Sequence, residues 1–207
     1  MSLKEIFKNN WFYILIYALL VVFAFIIKWN FIDELDIIDT NIMNFVQNKL
    51  VSNKLTIFMK FITILGSYYI IPIICLILLF IIKDKRIVFN SVLIMIFTVL
   101  FNIILKFSIK RPRPLNMLVQ ENFYSFPSGH AMCSIVFYGI LMHIFNRKCN
   151  NFIIKILLII LLTILMLLIC FSRIYLNVHY FSDIICGIIY GLITLSLIIR
   201  ILREYDL

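Results

Sequence analysis

The sequence predicts an all-α, polytopic membrane protein: six transmembrane helices, with an interfacial helix in the first extracytoplasmic loop. Three observations carry that reading. The chain is 64% hydrophobic and only 14% charged, whereas soluble domains are roughly half apolar. The apolar residues fall in long runs free of Asp, Glu, Lys and Arg, from Asn9 to Ile27, Ile87 to Leu105, Asn122 to Asn146 and Ile156 to Ser172. A spanning helix needs about 20 such residues. Finally, the runs are continuous rather than alternating, which selects helices over a barrel, the two forms that satisfy backbone polar groups in lipid.

In chain order, spans are expected near residues 11–28, 67–83, 86–105, 129–146, 153–171 and 183–201. The first follows Lys4 and Lys8, and Lys28, Trp29, Asn30 and Phe31 come after it. A signal peptide ends in small residues, so this segment reads as a retained anchor. The loop from Trp29 to Ser67 carries Ile38, Ile42, Phe45 and Val46 at helical spacing, with Asp39, Asn41 and Asn44 between them. That is the pattern of an amphipathic helix in the membrane interface, which would brace the bundle or guide a headgroup. Gly66-Ser67 separates apolar Phe61–Leu65 from the second span. Without internal repeats or low-complexity segments, residues 1–207 read as a single membrane-embedded domain. Cys75, Cys133, Cys149, Cys170 and Cys186 lie in or beside spans. Their spacing is neither zinc-like nor that of a disulfide framework, so they read as packing residues.

The net charge of +9 first suggests a nucleic-acid partner, but most cations sit in short loops between spans, where they set topology. Ten fall on the N-terminal side: Lys4, Lys8, Lys83, Lys85, Arg86, Arg147, Lys148, Lys155, Arg200 and Arg203. The short turns 83–86 and 147–148 carry the signal, which puts both termini in the cytoplasm of a plasma-membrane protein. Three cations of the opposite side, Lys106, Arg113 and Arg173, have a different explanation.

Polar residues concentrate in three segments assigned to the outer face: Lys106 to Pro114, Pro127 to His130, and Ser172 to Asp183. Arg presents a planar fork to phosphate oxygens and Lys a point charge. Ser128 suits a helix cap, and Gly129 lets an oxygen approach the N–H groups of a helix start. Lys106, Arg113, Ser128, Gly129 and Arg173 together read as a phosphate cradle. His179 and Asp183 are four apart and share a helix face if the last span begins there. The carboxylate would fix the imidazole tautomer and leave the other ring nitrogen as nucleophile. His130, at the opposite helix start, would protonate the leaving oxygen. Lys110 and Arg111 read as headgroup contacts or surface charge, and His143 as a packing residue. Magnesium sites draw on carboxylates, and only Glu121 and Asp183 lie near these segments. No metal or other cofactor is expected.

These segments resemble the type 2 phosphatidic acid phosphatase superfamily, marked by K-x6-RP, PSGH and SR-x5-H-x3-D. The first is matched by Lys106, Arg113 and Pro114, the second by Pro127 to His130, and the third by Ser172, Arg173, His179 and Asp183. The resemblance implies a six-span fold with its site on the outer leaflet. It implies His179 as nucleophile, Asp183 as its partner, His130 as acid and then base, and the cradle residues as phosphate ligands. Within the family the chain looks most similar to small bacterial phosphatidylglycerophosphate phosphatases. The undecaprenyl pyrophosphate branch often carries Asp where this chain has Gly129. The expected reaction is metal-independent hydrolysis of a lipid phosphate through a phosphohistidine, with phosphatidylglycerophosphate first among substrates. Undecaprenyl pyrophosphate and phosphatidic acid are the alternatives. Two further readings compete: a phospholipid-binding or transport protein without chemistry, and a vanadate haloperoxidase. The paired histidines with Asp183 argue against the first, and the apolar chain against the second. The expected partners are a lipid phosphate and the bilayer, not nucleic acid.

Overall fold

The structure, a computed structural model, describes residues 11–12, 15–23, 25–26, 32–81 and 85–204. Lys4, Lys8, Lys28, Trp29 and Lys83 lie outside the described residues, as does part of the first expected span. Among the described residues all regular structure is helical. Residues 15–23 are helical, followed by α1 (Ile32–Lys49), α2 (Asn53–Leu65), α3 (Ile70–Ile81), α4 (Lys85–Ile109), α5 (Gly129–Lys148), α6 (Phe152–Tyr175) and α7 (Phe181–Glu204).

Capping chemistry sets helix ends near the site and far from it. Ser128 caps α5, its Oγ accepting from the Ala131 N–H at 3.4 Å. Asn151 caps α6, accepting from the Ile153 and Ile154 N–H groups at 3.0 and 3.2 Å. Beyond α6 the chain turns at Asn177, which takes a left-handed φ of 58°, a conformation Asn tolerates better than most residues. Its Nδ2 donates to the Leu115 and Asn116 carbonyls at 2.6 and 3.3 Å. That turn is pinned to the loop between α4 and α5, and it presents His179.

At the centre stands α5, which packs most extensively on α7 and α6 and also on α4. The α5–α7 crossing is close because Gly187 faces the start of α5. A Cβ there would stand 2.7 Å from the Ser128 carbonyl oxygen. Residues 15–23 lie against α4 and α7 through a Tyr17–Thr194 hydrogen bond, a Tyr190 hydroxyl donating to the Leu20 carbonyl at 3.0 Å, and a Tyr17–Phe101 edge contact.

The outer faces are apolar. On α6, Ile153, Leu157, Ile160, Leu161, Ile164 and Leu167 point outward while Met166, Ile169 and Cys170 are buried. Its mean hydropathy is 3.2. Among the described residues three helices, Val88–Ile109, Gly129–Lys148 and Phe152–Tyr175, are long and apolar enough to cross a membrane, and Phe181–Leu197 is a shorter apolar helix. Such an arrangement suits lipid rather than water as the surrounding medium, and the chain is a membrane protein. All five cysteines are free thiols, and Cys75, Cys133 and Cys170 are buried.

One expectation changes here. The spacing around residue 39 predicts Asp39 on a polar outward face. In the structure Asp39 is 1% exposed, whereas Ile38 and Phe45 are 52% and 60% exposed. The inward face of α1 is set by Asp39, Ile42 and Val46, the last two packing against Ile174, Tyr175 and Val178. Asp39 is drawn inward by specific partners at the start of α7, an attraction stronger than its preference for water.

Candidate active site

Four helix ends meet at one end of the bundle: the C-termini of α4 and α6, and the N-termini of α5 and α7. They carry Lys106, Arg173, the pair Gly129-His130, and Asp183, with His179 in the turn just before α7. The loop of residues 110–128 runs across them. A cavity of about 740 Å³ opens there, and Lys106, Arg113, Gly129, His130, Arg173 and His179 all line it. One wall is apolar, with Ile64, Ile70, Val99 and Ile103 on α2, α3 and α4.

His179 is buried, 2% exposed. Its Nδ1 faces Asp183 Oδ2 at 3.4 Å, and that oxygen also accepts the Tyr180 N–H at 3.0 Å. Its Nε2 lies 3.3 Å from Arg113 Nη1. A guanidinium only donates, so Nε2 must present its lone pair and Nδ1 carries the proton towards Asp183. Burial pushes the His179 imidazolium well below its ordinary value, and Lys106, Arg173 and Arg113 push in the same direction. The ring is therefore neutral, with its free nitrogen turned to the cavity side.

Lys106 and Arg113 are held mainly by backbone carbonyls, which leaves their charge available, whereas Arg173 is ion-paired with Glu121. Lys106 Nζ donates to the Tyr124 and Ser125 carbonyls at 2.6 and 3.1 Å. Arg113 donates to the Phe123, Val178 and Asn122 carbonyls at 3.0, 2.7 and 3.0 Å. Arg173 Nη1 donates to Thr63 Oγ1 of α2 at 2.5 Å, while its Nε is buried without a hydrogen-bond partner. An unpaired buried donor is costly, and in the cavity wall it marks a place for an anionic oxygen. The Glu121 carboxylate already reaches this clamp, paired with Arg173 Nη2 and 3.8 Å from Arg113 Nη2.

Ser128 is placed differently. It is fully buried and caps α5, its backbone N–H donates to the Asp183 carbonyl at 3.1 Å, and it does not line the cavity. It shapes the helix start that Gly129 and His130 present. Asp183 likewise stands behind His179 rather than in the cavity wall.

Three participants escaped the sequence reading. Thr63 positions Arg173, and Glu121 occupies the clamp. Arg111, expected at the surface, is 6% exposed. Its Nη1 donates to Asp183 Oδ1 at 2.8 Å and to Ser182 Oγ at 2.7 Å. Its Nη2 reaches Asp36 Oδ1 at 2.6 Å and Asp39 Oδ2 at 2.8 Å. Three carboxylates converge on one guanidinium, which removes it from the surface. Lys110, by contrast, is exposed as expected.

A family model described as the PAP2 superfamily matches residues 87–206, which take in all but the first two residues of α4, the whole of α5, α6 and α7, and the loops between them. The chain belongs to the PAP2 superfamily. The chain is 35% identical over 102 residues to phosphatidylglycerophosphatase B of Bacillus subtilis (strain 168), a match covering 48% of this chain. It spans 50% of that relative's length. The crystal structure of a transmembrane PAP2 type phosphatidylglycerolphosphate phosphatase from Bacillus subtilis superposes with a TM-score of 0.80 at 25% identity, covering 93% of this chain and 94% of that one. LpxE of Aquifex aeolicus superposes with a TM-score of 0.64 at 25% identity, over 78% of this chain and 94% of that one. The PAP2 motif residues read from the sequence lie at these four helix ends, in the loop of residues 110–128 and in the turn before α7.

Proposed function

We propose that this PAP2 chain is a membrane lipid phosphatase that cleaves a phosphate monoester through a phosphohistidine on His179. The observation that carries the reading is the sharing of one cavity by two imidazoles, Lys106, Arg113 and Arg173. His179 Nε2 attacks phosphorus, and the bond to the lipid oxygen breaks as His130 donates it a proton. Negative charge on the transferring oxygens meets Lys106, Arg113, Arg173 and the first-turn N–H groups of α5 at Gly129 and His130. Positioning and electrostatic stabilisation of this kind dominate phosphoryl transfer. Asp183 holds the His179 proton on Nδ1 and stabilises the charged ring. Water, giving its proton to His130, then attacks the phosphohistidine and releases orthophosphate. No step in this sequence draws on a metal.

The lipid is a phosphatidylglycerophosphate-type monoester. The apolar cavity wall on α2, α3 and α4 suits an acyl chain entering sideways, and both the curated relative and the first structural one carry that substrate in their names. Residues 1–207 act as one domain of six spans with cytoplasmic termini, and the site faces the extracytoplasmic leaflet. On that reading α1 lies in the interface, with Ile37, Ile38 and Phe45 turned towards lipid. Purified protein in detergent with EDTA should release orthophosphate from phosphatidylglycerophosphate faster than from phosphatidic acid or undecaprenyl pyrophosphate, and His179→Ala should release none. Full activity in His179→Ala would remove the nucleophile assignment.

A further inference from the structure

We infer that Arg111 is a positioning residue that acts through Asp183, tying the carboxylate partner of His179 to the helix of the first loop. The inference rests on the phosphatase reading and deepens it.

The geometry divides the two Asp183 oxygens between two tasks. Oδ1 is taken by Arg111 Nη1 at 2.8 Å. Oδ2 accepts the Tyr180 N–H and faces His179 Nδ1. Asp183 is fully buried, and a buried carboxylate with one oxygen unpaired takes up a proton or turns away. Arg111 opposes both. Its flat fork is itself fixed from the far side: Asp36 and Asp39 bind Nη2, and the ring of Tyr180 lies 4.0 Å from Cζ. Asp39 also binds the start of α7 directly, its Oδ1 accepting the Ser182 N–H at 2.9 Å and its Oδ2 the Ser182 hydroxyl at 2.5 Å. An acidic group at a helix N-terminus is stabilising in its own right. The chain of contacts therefore runs from α1 through Asp39 and Arg111 to Asp183 and His179. Arg111 does not line the cavity, so it does not touch the substrate phosphate.

The test uses the full chain in detergent micelles with phosphatidylglycerophosphate, orthophosphate release as readout, and orthovanadate inhibition as a check that the clamp is folded. Wild type against His179→Ala comes first. If these two release phosphate equally, the phosphatase reading itself falls, and this inference with it. If wild type alone is active, Arg111→Gln is expected to lose about 100-fold in kcat, the scale of a misplaced reacting group, with KM and vanadate inhibition little changed. The acid limb of its kcat profile should move to higher pH, because Asp183 and His179 both hold protons more tightly once the nearby cation is gone. Arg111→Lys keeps the charge but cannot bridge both sides, and should recover part of the pH shift and less of kcat; it also serves if the Gln variant fails to fold. In an Asp183→Asn background the Arg111→Gln loss should vanish, as for two residues acting as a unit. Wild-type kcat in Arg111→Gln would overturn the inference. So would a loss confined to KM, or a kcat loss of equal size in both backgrounds.

Discussion

Arg111 and Arg113 stand two residues apart in one loop, between Ile109 and Leu115, and end up in opposite circumstances. Pro112 and Pro114 fix the backbone on either side, and the two guanidinium groups diverge. Arg111 reaches α7 from behind, where three carboxylates saturate it. Arg113 turns to the cavity, where backbone carbonyls orient it without cancelling its charge, and its Nη1 faces His179. Its guanidinium is pushed below the ordinary arginine value, first by burial, which marks a cation awaiting an anion. On the proposed reading, pairing separates these two arginines: the one saturated by carboxylates builds the site, and the one held mainly by backbone carbonyls serves the ligand.

The largest effect that separates them is expected for Arg113→Ala. Losing one preorganised donor to the transferring phosphoryl costs about 2.7–4 kcal/mol of transition-state stabilisation, roughly 10²–10³ in kcat. Unlike the loss at Arg111, this one should persist in an Asp183→Asn background. Equal behaviour of the two arginines would erase the comparison. Next comes Gly187→Ala, whose Cβ would meet the Ser128 carbonyl at 2.7 Å. Backbone offers little room to yield, so about 1–3 kcal/mol of stability should be lost, read as a lower midpoint of thermal unfolding in detergent, and the α5–α7 crossing that seats both arginine partners should loosen.

A pH series sharpens the Arg113 side. His179 is held well below its ordinary value by burial and by Lys106, Arg173 and Arg113. Phosphate release, followed as kcat/KM, should therefore persist below the ordinary imidazole range and fall only when His179 takes up a proton. Stability runs the same way: the unfolded chain protonates this imidazole near its ordinary value of about 6.5 while the folded chain resists, so the folded state weakens as pH falls below that value. The smallest effect is expected at Glu121→Gln. Removing the carboxylate that rests on Arg173 and Arg113 should lower KM a few-fold and strengthen inhibition by orthophosphate; a raised KM would mean that Glu121 helps the clamp rather than competing for it.

Much of this was legible in the sequence. The spacing of Lys106 and Arg113, the Pro127–His130 segment, and His179 four residues before Asp183 are local patterns, and chemistry constrains them tightly. The helix ends were legible as well, because Ser128 and the charge-free runs mark them. What local pattern could not supply is pairing across the chain. Arg111 beside Lys110 looks like surface charge until Asp36, Asp39 and Asp183, each more than 70 residues away, are seen around it. Asp39 looks like the polar side of an amphipathic helix for the same reason. Glu121 was visible as one of few acids, but its contact with Arg173 depends on how the loop of residues 110–128 folds back.

The central claim is that His179 becomes covalently phosphorylated in a cavity shared with His130. Rapid quenching of the enzyme with phosphatidylglycerophosphate, followed by mass spectrometry under conditions that preserve N–P bonds, tests it directly. The expected result is one phosphoryl group on His179, formed during turnover and missing from His179→Ala. Phosphate release at the full rate with no label on His179, or with label on another residue, would contradict it.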